Sequence, residues 1–194
     1  DQWIDLDKWK NQIRDFDFVN ENAIESVWGG LDFASSRDIY AISWLFKFKN
    51  GTYYLTHRFY TPAQMLGNRY TGQRAQMYED WMRRGYLHTT PGNTIDSTFC
   101  EDYIKEFILE YDVNFVGYDP YKGTEIIKRL DGEFSTEYVW SEEKNKMIEL
   151  SKFQPIRQVI TNLADATWKF EEIINDGRLY HDGNPVMEWM LSNV

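Results

Sequence analysis

Residues 40–60 read YAISWLFKFKNGTYYLTHRFY, and this stretch restricts the fold more than any other. Tyr40, Ile42, Trp44, Phe46 and Phe48 recur at period two, as along one face of a strand, and Tyr53, Leu55, His57 and Phe59 repeat the pattern after Asn50-Gly51. Asn-Gly is the strongest short-range hairpin signal, because a type I′ turn needs positive φ at both central residues. The expectation is an antiparallel pair. A preceding apolar run over residues 27–33 extends it to a three-strand meander that ends at Thr61-Pro62.

Beyond residue 72 the period changes. Residues 73–84 read as a helix stopped by Gly85, and 86–90 as a short strand. Residues 97–111 carry Phe99, Tyr103, Ile104, Phe107, Ile108 and Tyr111 at spacings of three and four, an amphipathic helix with Asp96 or Ser97 as its cap. Residues 113–118 form another apolar run, ending at Asp119-Pro120 and leading into a helix with Ile126, Ile127 and Leu130. A short strand over 138–140 precedes the longest expected helix, 155–176, whose stripe is Ile156, Val159, Ile160, Leu163, Phe170 and Ile173. The tail begins extended and turns helical near Pro185. Hairpin strands followed by crossover helices predict an α/β fold: a mixed sheet, antiparallel meander plus parallel strands, flanked by helices. Residues 1–26, rich in charge with isolated aromatics, read as a linker or a short helix packed on the domain rather than as core.

Composition narrows the classes. The 194 residues suit one sizeable domain, and 42% hydrophobic with 17% aromatic content supports a packed core. A net charge of −10 argues against non-specific nucleic-acid binding by charge alone, though not against a local basic groove. One cysteine, Cys100, makes an intramolecular disulfide impossible and fits a reducing compartment. No run approaches the ~18 apolar residues of a membrane span, and no signal peptide opens the chain. The first residue is not Met, so a processed chain or an excised piece is expected.

Asp32 and Asp119 each stand at the C-terminal end of an apolar strand, and each precedes a turn. If the two strands are parallel neighbours, roughly 4.8 Å apart, the carboxylates converge at the sheet edge where open α/β sheets place their sites. Such a pair either shares a proton as an acid/base couple or holds hard divalent cations. The bland alternative is two unrelated turn-capping aspartates.

Several blocks resemble, in order, the C-terminal nuclease domain of the large subunit of tailed-bacteriophage terminases. GGLDFASSRDIYAISWLF resembles the motif around that family's first catalytic aspartate. YYLTHRFYTP, RGYLHTTPGNTID and VGYDPYKGTEIIKRL follow, GRLYHDGNPVMEWMLSNV resembles a late block, and DQWIDLDKW resembles the segment joining the ATPase and nuclease domains. The resemblance implies a ribonuclease H-like fold and a metal-dependent endonuclease that cuts concatemeric phage DNA during packaging, by two-metal phosphodiester hydrolysis with Mg²⁺ or Mn²⁺. It implies that Asp32 and Asp119 are catalytic and bind the metal. It also implies double-stranded DNA, the portal protein and the small terminase subunit as partners, no membrane, and the host cytoplasm as location. Residues 1–26 would then follow an absent ATPase domain, since no GxxxxGK[ST] occurs, and residues 27–194 would form the nuclease domain. That domain would lack its C-terminal end, because the family's third acidic residue lies on a later helix. The rival expectation is a non-catalytic docking module for the portal or the small subunit.

Other residues weigh less. Asp38, Asp96 and Asp182 are candidates to support the metal site, with capping the commoner role for the first two. Arg83, Arg84 and Lys122 are candidates to track a DNA backbone. His57, His88 and His181 are dispersed without metal-ligand spacing, so a core or surface role is expected of each. Cys100, between Phe99 and the acidic pair Glu101-Asp102, is a poor nucleophile.

Overall fold

The computed structural model describes residues 3–19, 23–33, 39–64, 72–121, 123–134 and 137–193. After the short helices α1 (Leu6–Asn11) and α2 (Phe16–Val19), the meander forms as β1 (Ile24–Asp32), β2 (Tyr40–Phe48) and β3 (Tyr53–Pro62). Then come α3 (Gln73–Arg83), β4 (His88–Thr90), α4 (Ser97–Glu110), β5 (Val113–Tyr118) and α5 (Thr124–Glu133). The last third holds β6 (Glu137–Ser141), β7 (Lys146–Leu150), β8 (Phe153–Pro155), α6 (Ile160–Asn175), β9 (Leu179–His181) and α7 (Pro185–Leu191).

The main sheet has seven strands in the order β4-β3-β2-β1-β5-β8, with β9 sharing the outer edge of β3 with β4. The β1–β2 and β2–β3 pairs are antiparallel, and β1–β5, β5–β8, β3–β4 and β3–β9 are parallel. This is the expected mixed sheet. Asn50-Gly51 does turn the meander, but not as a type I′ turn. Among the described residues only Gly51 of that pair has positive φ, and Gly51 N–H donates to the Phe48 carbonyl at 2.9 Å. Asn50 Oδ1 accepts from the amide and hydroxyl of Thr52, so a longer loop with one left-handed glycine replaces the two-residue turn.

Alternation splits the sheet into two faces. Ile42, Trp44, Phe46 and Phe48 of β2 point with Val27 and Leu31 toward α4 and α5, and meet Ile104, Phe107, Ile126 and Leu130. Trp44 stacks on Phe107 with ring centroids 4.0 Å apart. Buried Glu101 on α4 pairs with Lys105 and with Arg129 of α5, which ties the two helices together. On the opposite face Leu55 packs with α1, α6 and α7, and Phe59 packs with α3 and α7. No helix among the described residues is long and apolar enough to cross a membrane.

Three expectations need correction. The N-terminal segment contributes core, since Ile4 and Trp9 are buried and Trp9 stacks on His181. The β6–β7 hairpin, a separate two-stranded sheet, was expected only as one short strand. The long helix begins at Ile160 rather than 155, because Phe153–Pro155 pair with Val116–Tyr118 of β5 and the sheet claims them. Its apolar stripe is buried only at the far end. Ile173 and Ile174 are covered, whereas Ile160 is 87% exposed.

Candidate active site

The register of β1 on β5 sets Gly29 beside Val116, Gly30 beside Gly117 and Leu31 beside Tyr118. Asp32 ends β1 and Asp119 follows β5, so the two aspartates fall one step beyond the last registered pair, on neighbouring strands. Both line one cleft of about 290 Å³. Asp32 is exposed, whereas Asp119 is 9% exposed. The backbone N–H of Tyr121 donates to Asp119 Oδ1 at 3.0 Å, an Asx turn across Pro120 that fixes the carboxylate.

The loops behind these residues are locked to each other. Phe33, directly after Asp32, is buried against Gly123, where an added Cβ would collide with the Phe33 ring. Gly123 has φ +77°, so that position both needs the left-handed region and leaves no room for a side chain. The end of β1 is thereby clamped to the start of α5.

Beneath the carboxylates the floor is glycine. Gly117 accommodates Ile156, whose Cδ1 would be 2.5 Å from an added Cβ. Among the described residues an added Cβ at Gly30 would meet nothing within 4 Å. Packing therefore accounts for Gly117 but not for Gly30. Ser43 of β2, partly exposed, pairs with Gly30 and lines the same cleft. Its Oγ lies 2.9 Å from His57 Nδ1 on β3. His57 is buried, and among the described residues its Nε2 has no partner. Burial lowers the His57 pKa to about 4, against the opposing pull of Asp182. The ring is therefore neutral at pH 7.

The remaining sequence candidates lie elsewhere. Asp96 caps α4, accepting from the amide and hydroxyl of Thr98, and these bonds hold its carboxyl below the usual range. Asp182 spends one oxygen on Thr56 Oγ1 and the His57 amide and the other on the Asn184 amide, and it does not line the cleft. Arg83 and Arg84 both pair with Asp80 on α3. Asp38 and Lys122 lie outside the described residues. His181 is fully buried with both ring nitrogens used, one against the Trp9 carbonyl at 2.8 Å and one accepting from Gly183 N–H at 3.1 Å. Cys100 is buried, and that burial pushes its thiol up to about 12. Ser43 and the role of His57 were missed in the sequence. A two-residue Asn50-Gly51 turn would have set Ser43 opposite Arg58, and the longer loop sets it opposite His57.

A larger cavity of about 900 Å³ opens on the α4 side of the sheet. Arg58 lies in it, 4.3 Å from the Tyr103 ring centroid. Its acidic residues, Glu79, Asp102 and Glu106, come from helices and are interspersed with Arg58 and Arg83. No two of them converge from adjacent strand ends, so the smaller cleft is the better candidate despite its size.

Comparison with known proteins gives a family and a fold. The family model "Terminase large subunit, endonuclease domain" matches residues 1–194. The large terminase subunit of Enterobacteria phage HK97 is 26% identical over 173 residues, covering 89% of this chain and 31% of its own length. Protein YmfN of Escherichia coli (strain K12) is 26% identical over 120 residues, 62% of this chain and 23% of that protein. The chain thus spans a third or less of the curated relatives it matches. The crystal structure of the HK97 bacteriophage large terminase superposes with a TM-score of 0.77 at 22% identity, over 100% of this chain and 36% of that one. That likeness establishes the ribonuclease H-like fold expected from the sequence.

Proposed function

The chain belongs to the family of terminase large subunit endonuclease domains, and from that premise we propose that it hydrolyses phosphodiester bonds of double-stranded DNA at the cleft between β1 and β5, with Asp32 and Asp119 holding Mg²⁺ or Mn²⁺. One observation carries this reading: the two aspartates sit at the ends of adjacent parallel strands, over the Gly30–Gly117 floor. Among the described residues lining the cleft there is no thiol and no imidazole. Two carboxylates with an open side fit a hard, oxygen-preferring cation.

When bound, such an ion supplies Lewis acidity to a phosphoryl oxygen and makes a bound water more acidic. The protein does the positioning. Asp119 is pinned by the Tyr121 amide, Asp32 faces solvent, and Gly30 lets a sugar–phosphate backbone come closer to the sheet than any side chain would allow. Among the described residues no group of three acidic, histidine or cysteine side chains gathers here. A site for two ions requires more anionic oxygen than two carboxylates, and the DNA phosphate would supply part of it. Within a packaging motor the substrate would be concatemeric phage DNA in the host cytoplasm. The partners would be the portal protein and the small terminase subunit.

One observation favours the rival reading of a docking module. The β6–β7 hairpin presents Tyr138, Trp140 and Met147 to solvent, with Trp140 57% exposed. A single comparison separates the two: plasmid nicking in Mn²⁺ by the native chain and by Asp32→Asn and Asp119→Asn. Nicking that falls at least about 100-fold in both variants supports the nuclease, since even groups behind a metal ligand change affinity or activity by 10–100-fold. Equal nicking in all three places the cutting outside this cleft, and none in the native chain at millimolar Mn²⁺ favours the docking module.

A further inference from the structure

Across β5, β1, β2 and β3 one row of residues reads Gly117, Gly30, Ser43, His57, all on the cleft face. The next row toward the strand ends on β1, β2 and β3 reads Asp32, Ala41, Phe59. Ser43 is therefore a diagonal neighbour of Asp32, beside Gly30, the glycine of the cleft floor that packing against the described residues does not demand. Resting on the reading of the cleft as a phosphodiester site, we infer that Ser43 binds a DNA phosphate oxygen lying on Gly30, and that His57 is a positioning residue that aims the Ser43 hydroxyl hydrogen into the cleft.

Hydrogen-bond supply decides how Ser43 and His57 share a proton. A neutral imidazole has one N–H and one lone pair. Either Ser43 donates to Nδ1, leaving a buried Nε2–H with no acceptor, or Nδ1–H donates to Ser43 Oγ, leaving only a bare lone pair on Nε2. An orphaned buried N–H is the rarer fault. The second arrangement also spends one Oγ lone pair and frees the serine hydrogen to turn toward the cleft. Asp182 steadies the strand there, accepting from the His57 backbone amide at 3.3 Å and from Thr56 Oγ1 at 2.9 Å. His181 is the contrast. It has both nitrogens satisfied, as a purely structural histidine should.

The test uses the 194-residue chain with ¹⁵N-histidine. Ring ¹⁵N shifts of His57 at pH 7 should report the neutral Nδ1–H tautomer, and the Nε2–H tautomer overturns the proposal. DNA affinity is then measured in Ca²⁺, which occupies oxygen-ligand sites. Ser43→Ala and His57→Phe should each weaken binding about tenfold. His57→Asn, whose side-chain amide can donate from the place of Nδ1–H, should bind within about twofold of native. Thermal melts run alongside ensure that only folded variants are compared. Equal affinity for native and Ser43→Ala chains overturns the proposal. If Asp32→Asn and Asp119→Asn still abolish nicking in that event, the cleft reading stands without this residue. If those two variants also nick normally, the cleft reading itself has failed.

Discussion

On the α4 side of the sheet, β1 and β2 carry Leu31, Ile42, Trp44, Phe46 and Phe48. On the other side the residues interleaved with these include Gly30, Asp32, Ala41 and Ser43. The same two strands thus crowd one face with the largest side chains available and leave the other nearly bare around the cleft, while Trp28 and Leu45 fill it further along. Gly29 and Gly30 mark the boundary. A Cβ on Gly29 would lie 2.5 Å from the Trp44 ring, and one on Gly30 would lie in open space. Gly29 is small because the core is full, and Gly30 is small where the cleft is open. The contrast separates residues that hold the fold from residues that leave room for a ligand.

The largest effect expected of this division is on the crowded face. Trp44→Ala removes a fully buried ring and its stack on Phe107, and should lower stability by about 3–5 kcal/mol in urea denaturation. A loss under about 1 kcal/mol would mean that the α4 face is not the main core.

A smaller effect should come from buried histidines on the open face. Burial lowers the pKa of His57 from 6.5 to about 4, and burial also lowers that of His181. Between those two pH values the unfolded chain binds protons that the folded chain refuses. Stability is therefore full above about pH 6.5 and declines as pH falls toward about 4. Thermal melts across this range should show Tm falling with pH, and His57→Asn should flatten the slope. An unchanged slope in that variant would place the acid sensitivity elsewhere.

These residues also show what could be read in advance. The meander, the parallel return of β5 and the meeting of Asp32 with Asp119 follow from period-two runs and strand ends, which are local signals. The pairing of Ser43 with His57 is not local, since neither residue sits in a motif and only the strand register brings them together. Trp9 does not read as core in the sequence because its partner, His181, lies 172 residues away. The β8 strand was hidden for a different reason. Three residues of backbone pairing with β5 outweighed a helical spacing of apolar residues. The β6–β7 hairpin is rich in charge and keeps Tyr138, Trp140 and Met147 in solvent, so it lacks the buried alternation that marks a strand in sequence.

The smallest change makes the sharpest test, because it adds one methyl group to each of two adjacent residues. Gly29→Ala pushes a methyl into the Trp44 ring and against Val116, and should destabilise by about 1–3 kcal/mol, the usual range for overpacking a filled core. Gly30→Ala meets no atom of the described residues within 4 Å, and its backbone is not in the left-handed region. Its stability should stay within about 0.5 kcal/mol of native, as for substitutions away from packed features. DNA affinity should respond in the opposite order. The Gly30→Ala methyl projects into the space above the floor, between Ser43 and Gly117, where a phosphate would rest. Chemical denaturation and DNA titration of both variants form a two-by-two comparison. Stability lost only at Gly29→Ala, with affinity lost only at Gly30→Ala, is the expected pattern. If Gly30→Ala binds DNA as the native chain does, the bare floor is not where the substrate lies, and the contrast between the two faces reduces to packing alone.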